Sequence, residues 1–338
     1  MTTNDSHPSA GRFRRNSHIF RSLLKLQLML LAVLLIFPQL VSAQWNATIG
    51  AQSPDLGRQG LAFLPNEIWI HAGESITWTM AVNEAHTVTF LTAGQIRPPF
   101  SVGCPGFSGA SATFDGSACA TSALLFQGDK FTVVFPVAGN FKLVCLVHAD
   151  MTGTIHVLDP SQSLPHDQAF YDREAQRESV DLLGDADVEE LKHHHSQNNV
   201  TVGHGEIVAT GGGSDTLSVM RFGEPDITVH AGDTVEWTND DSITAHTVTF
   251  GLEPQDLVDP SSNVNIDADG ARHGVLNSPS DAVHSGFIQA APQDRRGLAQ
   301  APTGVTRFRV TFSKPGLYPY ICSLHDVLGM KGKVVVLP

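Results

Sequence analysis

An internal repeat constrains this chain more than any other feature of its sequence. The hexapeptide Ala-His-Thr-Val-Thr-Phe occurs at residues 85–90 and again at residues 245–250. Before it, residues 68–78 match residues 227–237, and both segments predict a strand, a turn at glycine and a second strand. After it, a glycine precedes a cysteine by six positions in both copies, and each copy closes with a β-branched strand. Short strands separated by Gly and Pro turns, twice over, predict two all-β sandwiches.

Each copy carries the same four metal-binding side chains. A histidine of the hexapeptide is followed downstream by a cysteine, a second histidine and a methionine, namely His86, Cys145, His148 and Met151 in the first copy and His246, Cys322, His325 and Met330 in the second. Two imidazoles, a thiolate and a thioether suit a type 1 copper electron-transfer site with methionine as a weak axial ligand. We therefore predict two copper sites, and we assign Thr-Val-Thr-Phe to strand packing.

Core packing and zinc binding account for these clusters less well than copper binding does. A buried cysteine near a histidine and a methionine is often part of a core, but packing alone does not account for the distant histidine or for the repeat. Structural zinc sites prefer more Cys and His ligands and no methionine. We expect the cysteine to end a strand, with the second histidine at the apex of the loop that follows. The histidines at 156, 204, 273 and 284 are isolated, His71 and His230 precede a glycine turn, and we assign none of them as a ligand.

The two clusters resemble those of the cupredoxin family, and the resemblance covers most of residues 60–158 and 205–338. The first cluster, residues 145–151, has the short loop spacing of amicyanin-like proteins, whereas the second, residues 322–330, looks like the longer loop of plastocyanin and pseudoazurin. The resemblance implies two Greek-key β-sandwiches, with one type 1 copper held by each set of four residues. Valine and leucine stand at positions 147 and 324, where the family often has proline.

The resemblance also implies a function, which is one-electron transfer rather than catalysis. Two-domain copper oxidases and nitrite reductases need a second kind of copper centre, and in them a histidine directly precedes the type 1 cysteine. Here Val144 and Ile321 hold that position, and the His-x-His spacing is confined to the tract at residues 193–195. We expect no enzyme activity. The alternative is a copper-binding protein for sequestration or delivery that has no redox partner.

The N-terminus predicts export. Five basic residues and an apolar run over residues 26–37 precede Val-Ser-Ala at 41–43, which is typical of a cleaved signal peptide over residues 1–43. The alternative is an uncleaved anchor, because two further leucines extend the run. Cleavage would leave 16 basic and 33 acidic residues. Such a surface repels nucleic acid and favours a basic redox partner such as a cytochrome or an oxidase. We therefore predict a secreted or periplasmic protein with no stable membrane span in the mature chain.

The repeat also sets the expected domain bounds. We predict a first domain over residues 44–158, a partly helical linker over 159–200 and a second domain over 201–338. Gly184-Asp185 is expected to break the helical part of the linker. Cys104 and Cys119 lie in a Gly/Ser/Ala-rich insertion of the first copy, and in an oxidising compartment we expect them to form a disulfide rather than a further metal site.

Overall fold

The structure is a computed structural model that describes Met1 and residues 43–100, 103–104, 109–190, 198–241, 243–289 and 305–338. The predicted signal peptide and the histidine tract at 193–195 therefore lie outside the described residues, except for Met1 and Ala43. The strands of the first copy are β1 (Gln44–Gln52), β2 (Arg58–Leu64), β3 (Glu67–His71), β4 (Ser75–Met80), β5 (Thr89–Phe90), β6 (Ser111–Thr113), β7 (Ala120–Thr121), β8 (Lys130–Val134), β9 (Gly139–Val144) and β10 (Thr152–Leu158).

One helix follows, α1 (Gln168–Glu190), and then the second copy. Its strands are β11 (Asn199–Ala209), β12 (Ser214–Phe222), β13 (Asp226–His230), β14 (Thr234–Asp241), β15 (Thr249–Phe250), β16 (Asn265–Ile266), β17 (Arg272–Leu276), β18 (Val283–His284), β19 (Arg307–Phe312), β20 (Gly316–Ile321) and β21 (Lys331–Leu337). A 3-10 turn, Asp326–Leu328, precedes β21.

The repeat in sequence is a repeat in topology. In the first copy, β2-β1-β4-β8-β6 form one layer and β3-β10-β9-β5-β7 form the other. The second copy repeats both layers as β12-β11-β14-β19-β17 and β13-β21-β20-β15-β18, with β16 added at one edge. Two β-sandwiches are thus confirmed. The predicted glycine turns are also present, since Gly73 and Gly232 have φ of 93° and 97°, a conformation that favours glycine.

Matching aromatic side chains fill the two cores. Trp78 packs 5.6 Å from Phe90 between ring centroids, and Trp237 packs 5.5 Å from Phe250. All four side chains are fully buried. Because one residue of each pair follows the glycine turn and the other ends the hexapeptide, this packing fixes the histidine of the hexapeptide relative to the layer that carries the cysteine.

The two sandwiches share one continuous sheet. Strands β2 and β12 pair antiparallel over four residue pairs, from Arg58 opposite Val219 to Leu61 opposite Thr216. The end of β10 also meets the start of β12, with Thr152 opposite Ser214. Residues 43–338 accordingly form one compact unit. This pairing sets the position of the two sandwiches relative to each other.

Helix α1 confirms a partly helical linker but corrects one detail of it. The helix runs unbroken through Gly184, where we expected a break. A glycine inside a helix costs only about 1 kcal/mol relative to alanine, and burial of one helix face offsets that cost. The helix packs on both sandwiches, because Leu182 lies against Leu64 of the first copy and Leu217 of the second.

The insertions between the hexapeptide and the cysteine are partly folded into the layers. In the first copy, β6 extends a sheet beside β8, and in the second β17 does the same beside β19. Cys104 and Cys119 form the predicted disulfide, with Cα atoms 5.6 Å apart. Within the described residues, no helix has the length and apolar character needed to cross a membrane.

Candidate metal centres

The first cluster forms where the hexapeptide meets the end of β9. Nδ1 of His86 and Nδ1 of His148 lie 3.0 Å apart, and Sγ of Cys145 lies 3.9 and 3.8 Å from them. None of the three residues is more than 1% exposed. His86 is held by an isolated bridge to Leu125, and Cys145 directly follows the last residue of β9. Three ligand atoms thus converge on one buried point.

The second cluster repeats this geometry after β20. Nδ1 of His246 and Nδ1 of His325 are 3.1 Å apart, and Sγ of Cys322 lies 3.9 and 3.5 Å from them. An isolated bridge to Ile288 holds His246 in the same way. All three side chains are buried. The structure therefore brings together the two histidines and the cysteine of each predicted set.

Both methionines close the loops that carry these residues. The amide of Cys145 donates to the carbonyl of Met151, and the amide of Cys322 donates to the carbonyl of Met330, each at 3.0 Å. Both methionines are fully buried. The second loop is two residues longer, and the 3-10 turn Asp326–Leu328, capped by Gly329 (φ 93°), takes up the difference. The loops therefore differ in length but have the same closure.

The hexapeptide threonine that follows each histidine is a site residue that the sequence analysis missed. The amide of Thr87 donates to Sγ of Cys145 at 3.4 Å, and its Oγ1 accepts from the amide of Leu146 at 2.8 Å. Thr247 makes the same two contacts with Cys322 and Ser323, at 3.3 and 2.7 Å. The repetition of threonine beside both histidines was the available signal. Strand packing therefore describes these threonines only in part.

The environment favours the thiolate form of both cysteines. Burial alone would raise the pKa of the Cys145 thiol, but the rings of His148 and His86 outweigh burial and hold the pKa well below its usual value. The pKa of Cys322 is lowered in the same way by His325 and His246. Because a thiolate is the metal-binding form of cysteine, both clusters are prepared for a metal ion.

Glu84, which the sequence did not single out, lies between the two clusters. Its Oε1 is 3.5 Å from Nε2 of His148, and its Oε2 is 3.5 Å from Nε2 of His325. Its side chain is 12% exposed. Burial would raise the pKa of Glu84, but His325, His148 and His86 lower it to about 2. One ionised carboxylate therefore faces an imidazole from each sandwich.

A second carboxylate distinguishes the two clusters. Oδ2 of Asp241 lies 3.5 Å from Nε2 of His246, and neither side chain is exposed. Counted from the matching tryptophans, Val82 occupies the corresponding position in the first sandwich. Nε2 of His86 and Nε2 of His246 both lack a hydrogen bond within the described part of the chain, so Asp241 contacts His246 as a nearby charge rather than as a hydrogen-bond acceptor. Burial alone would lower the pKa of His246, but Asp241 and Cys322 raise it to about 9.

Both clusters fit a type 1 copper ion. Ligands bonded at about 2.0–2.3 Å around a first-row metal lie roughly 3.5 Å from one another, and the observed separations of 3.0 to 3.9 Å bracket that spacing. Two imidazole nitrogens whose lone pairs converge beside a thiolate are best satisfied by a cation that all three atoms share. With a methionine closing each loop, the chain carries two type 1 copper sites.

The remaining histidines described by the structure serve different contacts. His156 stacks on Trp69 and bonds to Glu67, and His71 contacts the carbonyl of Gln162. His284 is buried and bonds to Thr249 inside the second sandwich.

The sequence of the chain is similar to those of known copper-binding proteins. The model of the copper-binding proteins of the plastocyanin/azurin family matches residues 52–158 and 207–337. A plastocyanin from Synechococcus sp. (strain JA-2-3B'a(2-13)) is 27% identical over 124 residues, which are 37% of this chain and 68% of that protein. Among solved structures, plastocyanin from Dryopteris crassirhizoma is 21% identical and covers 41% of this chain and 99% of its own, with a TM-score of 0.22. A reduced amicyanin variant is 15% identical over 36% and 87%, with a TM-score of 0.24.

Proposed function

The chain belongs to the plastocyanin/azurin family of copper-binding proteins, and we propose that it is an exported one-electron carrier with two copper centres. The observation that best supports this proposal is the pair of buried His-Cys-His clusters, in each of which a methionine closes the loop. We assign His86, Cys145, His148 and Met151 to one copper, and His246, Cys322, His325 and Met330 to the other. The domain bounds 44–158 and 201–338 belong to the same proposal.

Copper bound in such a set supplies a reversible one-electron couple. The thiolate suits the cuprous state, the imidazoles suit both states, and the thioether adjusts the potential. The protein contributes a rigid, dry cage. The amide of Thr87 and that of Thr247 hold the sulfur in place, and full burial of the ligand atoms excludes water.

Three further features support the rest of the proposal, which is that the protein is not an enzyme, that it is exported and that its partner is basic. Val144 and Ile321 directly precede the cysteines, where catalytic relatives have a histidine that leads to a second copper centre. The disulfide between Cys104 and Cys119 is typical of oxidising compartments. The excess of acidic residues favours a basic redox protein as partner.

Metal analysis and a visible spectrum of the purified chain test this proposal. We expect two copper ions and an intense thiolate-to-copper absorption. Cys322→Ala and Cys145→Ala should each remove one part of that band and leave the rest. The double variant Cys104→Ala/Cys119→Ala, which removes the disulfide but no proposed ligand, should retain both parts. Absence of the band from copper-loaded wild-type protein would sink the proposal.

Sequestration or delivery of copper is the competing function. Burial of every ligand atom favours the carrier, because a delivery protein must release its metal readily. Reversible reduction at both centres together with slow copper loss to a chelator supports the carrier. Copper loss within seconds, with no electron exchange with a cytochrome, would instead support delivery.

A further inference from the structure

The two candidate copper centres face each other across a single side chain. In His148 and in His325, Nδ1 points to the cysteine of its own cluster, at 3.8 and 3.5 Å from Sγ. The opposite ring nitrogen of each points to Glu84, at 3.5 Å in both cases. One carboxylate is therefore the link between the outer edges of both sets of ligands.

The fold holds this arrangement through β12, which contacts both metal-binding loops. At its start, Oγ of Ser214 donates to the carbonyl of Asp150, beside the first cluster. At its end, Arg221 donates to the carbonyl of Leu328 in the second loop and to the carbonyl of Asp55 in the first sandwich, both at 2.7 Å. The facing histidines thus follow from strand pairing that spans both sandwiches, and not from a chance contact of side chains.

We propose that Glu84 is the bridge through which an electron passes between the two sets of ligands, so that the centres act as a coupled pair. This inference rests on the proposed electron-carrier function. The route runs from Cys322 through His325, Glu84 and His148 to Cys145. The donor centre changes from cuprous to cupric and the acceptor centre from cupric to cuprous. One electron moves, and no proton or outside reactant is needed.

Burial strengthens the case for an internal route. His148 and His325 are 1% and 3% exposed, so a partner protein cannot touch the rings that face Glu84. With copper joining the cysteine and histidine of each centre, the remaining gaps in the route would be the two carboxylate contacts of 3.5 Å. Electron tunnelling falls steeply with distance, and a bridge that occupies the space between two rings is a better conductor than the same space without it.

The asymmetry of the centres gives the transfer a direction. Asp241 places a negative charge beside His246 in the second centre, whereas Val82 is apolar at the matching position of the first. Negative charge favours the more positive, oxidised state of a nearby metal. The second centre therefore has the lower potential, and the electron moves from the second centre to the first.

The test compares electron redistribution in three copper-loaded forms of the full chain: wild type, Glu84→Gln and Glu67→Gln. Glutamine keeps one oxygen, so it can face only one of the two ring N–H groups as an acceptor. Glu67→Gln is the matched control because Glu67 contacts His156, which is not a proposed ligand. Spectra of Cys145→Ala and Cys322→Ala identify the signal of each centre. A small amount of reductant is then added to reduce part of the copper. Rapid-freeze electron paramagnetic resonance follows how the electrons redistribute between the two centres.

We expect wild type and Glu67→Gln to show a redistribution rate that does not change with protein concentration. In Glu84→Gln this rate should fall by an order of magnitude or more, while both copper signals persist. Should Glu84→Gln lose copper, Glu84→Asp keeps the charge but is too short to reach both rings, and the same slowing is expected.

Redistribution at the wild-type rate in a copper-loaded Glu84 variant would overturn the inference. So would a wild-type rate that rises in proportion to protein concentration, because transfer would then occur between molecules. Either result leaves two blue copper centres and hence the proposed function intact. Loss of the proposed function is separate: wild-type protein would show no copper signal of this kind.

Discussion

Asp241 lies 3.5 Å from Nε2 of His246 with both side chains fully buried, which places a charge beside one copper centre and none at the matching position of the first. The amides of Ile243 and Thr244 donate to its Oδ1, each at 2.9 Å, and Ser218 donates to its Oδ2. These bonds hold the carboxylate in its ionised form. The two centres are therefore chemically unequal despite their matching ligands.

Replacing Asp241 should change the potential of one centre only. We expect Asp241→Asn to raise the potential of the second centre, because asparagine removes the negative charge beside a metal-binding histidine. Redox titration of both visible bands checks this. Asp240→Asn is the control, since Asp240 pairs with His204 at 3.2 Å on the surface. An unchanged second potential, or equal shifts at both centres, would contradict the expectation.

Thr87→Val should destabilise the first centre locally. The variant keeps the shape of the side chain but removes the acceptor for the amide of Leu146. A buried donor left without a partner costs about 1–3 kcal/mol. Denaturant unfolding of the copper-loaded protein measures the loss, and the visible band of the first centre should shift. Thr234→Val, which removes a partly exposed hydroxyl contact with Thr311, should have a smaller effect.

The packing of helix α1 predicts opposite effects for two glycines. A Cβ on Gly60 would lie 2.7 Å from Cδ2 of Leu182 and 3.2 Å from Cβ of Ala51. Overpacking of this kind costs about 1–3 kcal/mol, so Gly60→Ala should lower the free energy of unfolding. At Gly184 a Cβ meets nothing within 4 Å. Gly184→Ala should therefore stabilise the protein by about 0.5–1 kcal/mol. Thermal unfolding of the two variants measures the change in stability of each. Changes of the same sign in both variants would refute the described packing.

Stability should fall as pH rises through neutrality. Burial raises the pKa of Asp215 to about 8, and burial likewise raises that of Glu178 to about 7. Both groups lie where α1 meets the paired strands, with Glu67, Glu174 and Arg177 also contributing to their electrostatics. A raised carboxyl pKa means that the folded state binds the proton more tightly, so this contribution is present at low pH and is lost as pH rises through the folded pKa.

Unfolding of the copper-loaded chain between pH 5 and pH 9 measures this effect. One unit of pKa difference corresponds to about 1.4 kcal/mol. Asp215→Asn should flatten the dependence. Asp226→Asn, which changes an exposed carboxylate paired with Lys333, should leave the slope as in wild type. Stability that rises over this range would contradict the assignment.

The sequence was sufficient to predict that two histidines and a cysteine meet in each copy, because the cysteine and the second histidine are close in sequence and the first histidine recurs in a matching frame. Cys145 and His148 are three residues apart and follow one strand, and the hexapeptide histidine recurs in a matching frame. A repeated pattern of strands and turns also predicted both sandwiches. Backbone geometry forces these short-range relationships, so they can be read from the order of the residues alone.

The carboxylates at the centres could not be read in this way. In sequence Glu84 is an ordinary polar residue of a turn, and it meets His325 because the pairing of β2 with β12 brings the second sandwich beside the first. Asp241 ends a strand and looks like a surface residue in sequence. Helix α1 continues past Gly184 because tertiary packing outweighs a local propensity. Each of these outcomes depends on contacts between distant segments.

The pairing of β2 with β12 has a consequence for how this chain can be divided. Each strand closes the edge of its partner's sheet, so separation would leave two rows of unpaired backbone donors and acceptors. Exposed edges of that kind recruit further chains and promote aggregation. Although the two halves repeat one plan, neither is a free-standing module, and expression of either half alone should yield a poorly soluble product. Duplication has here produced mutual dependence rather than two interchangeable parts.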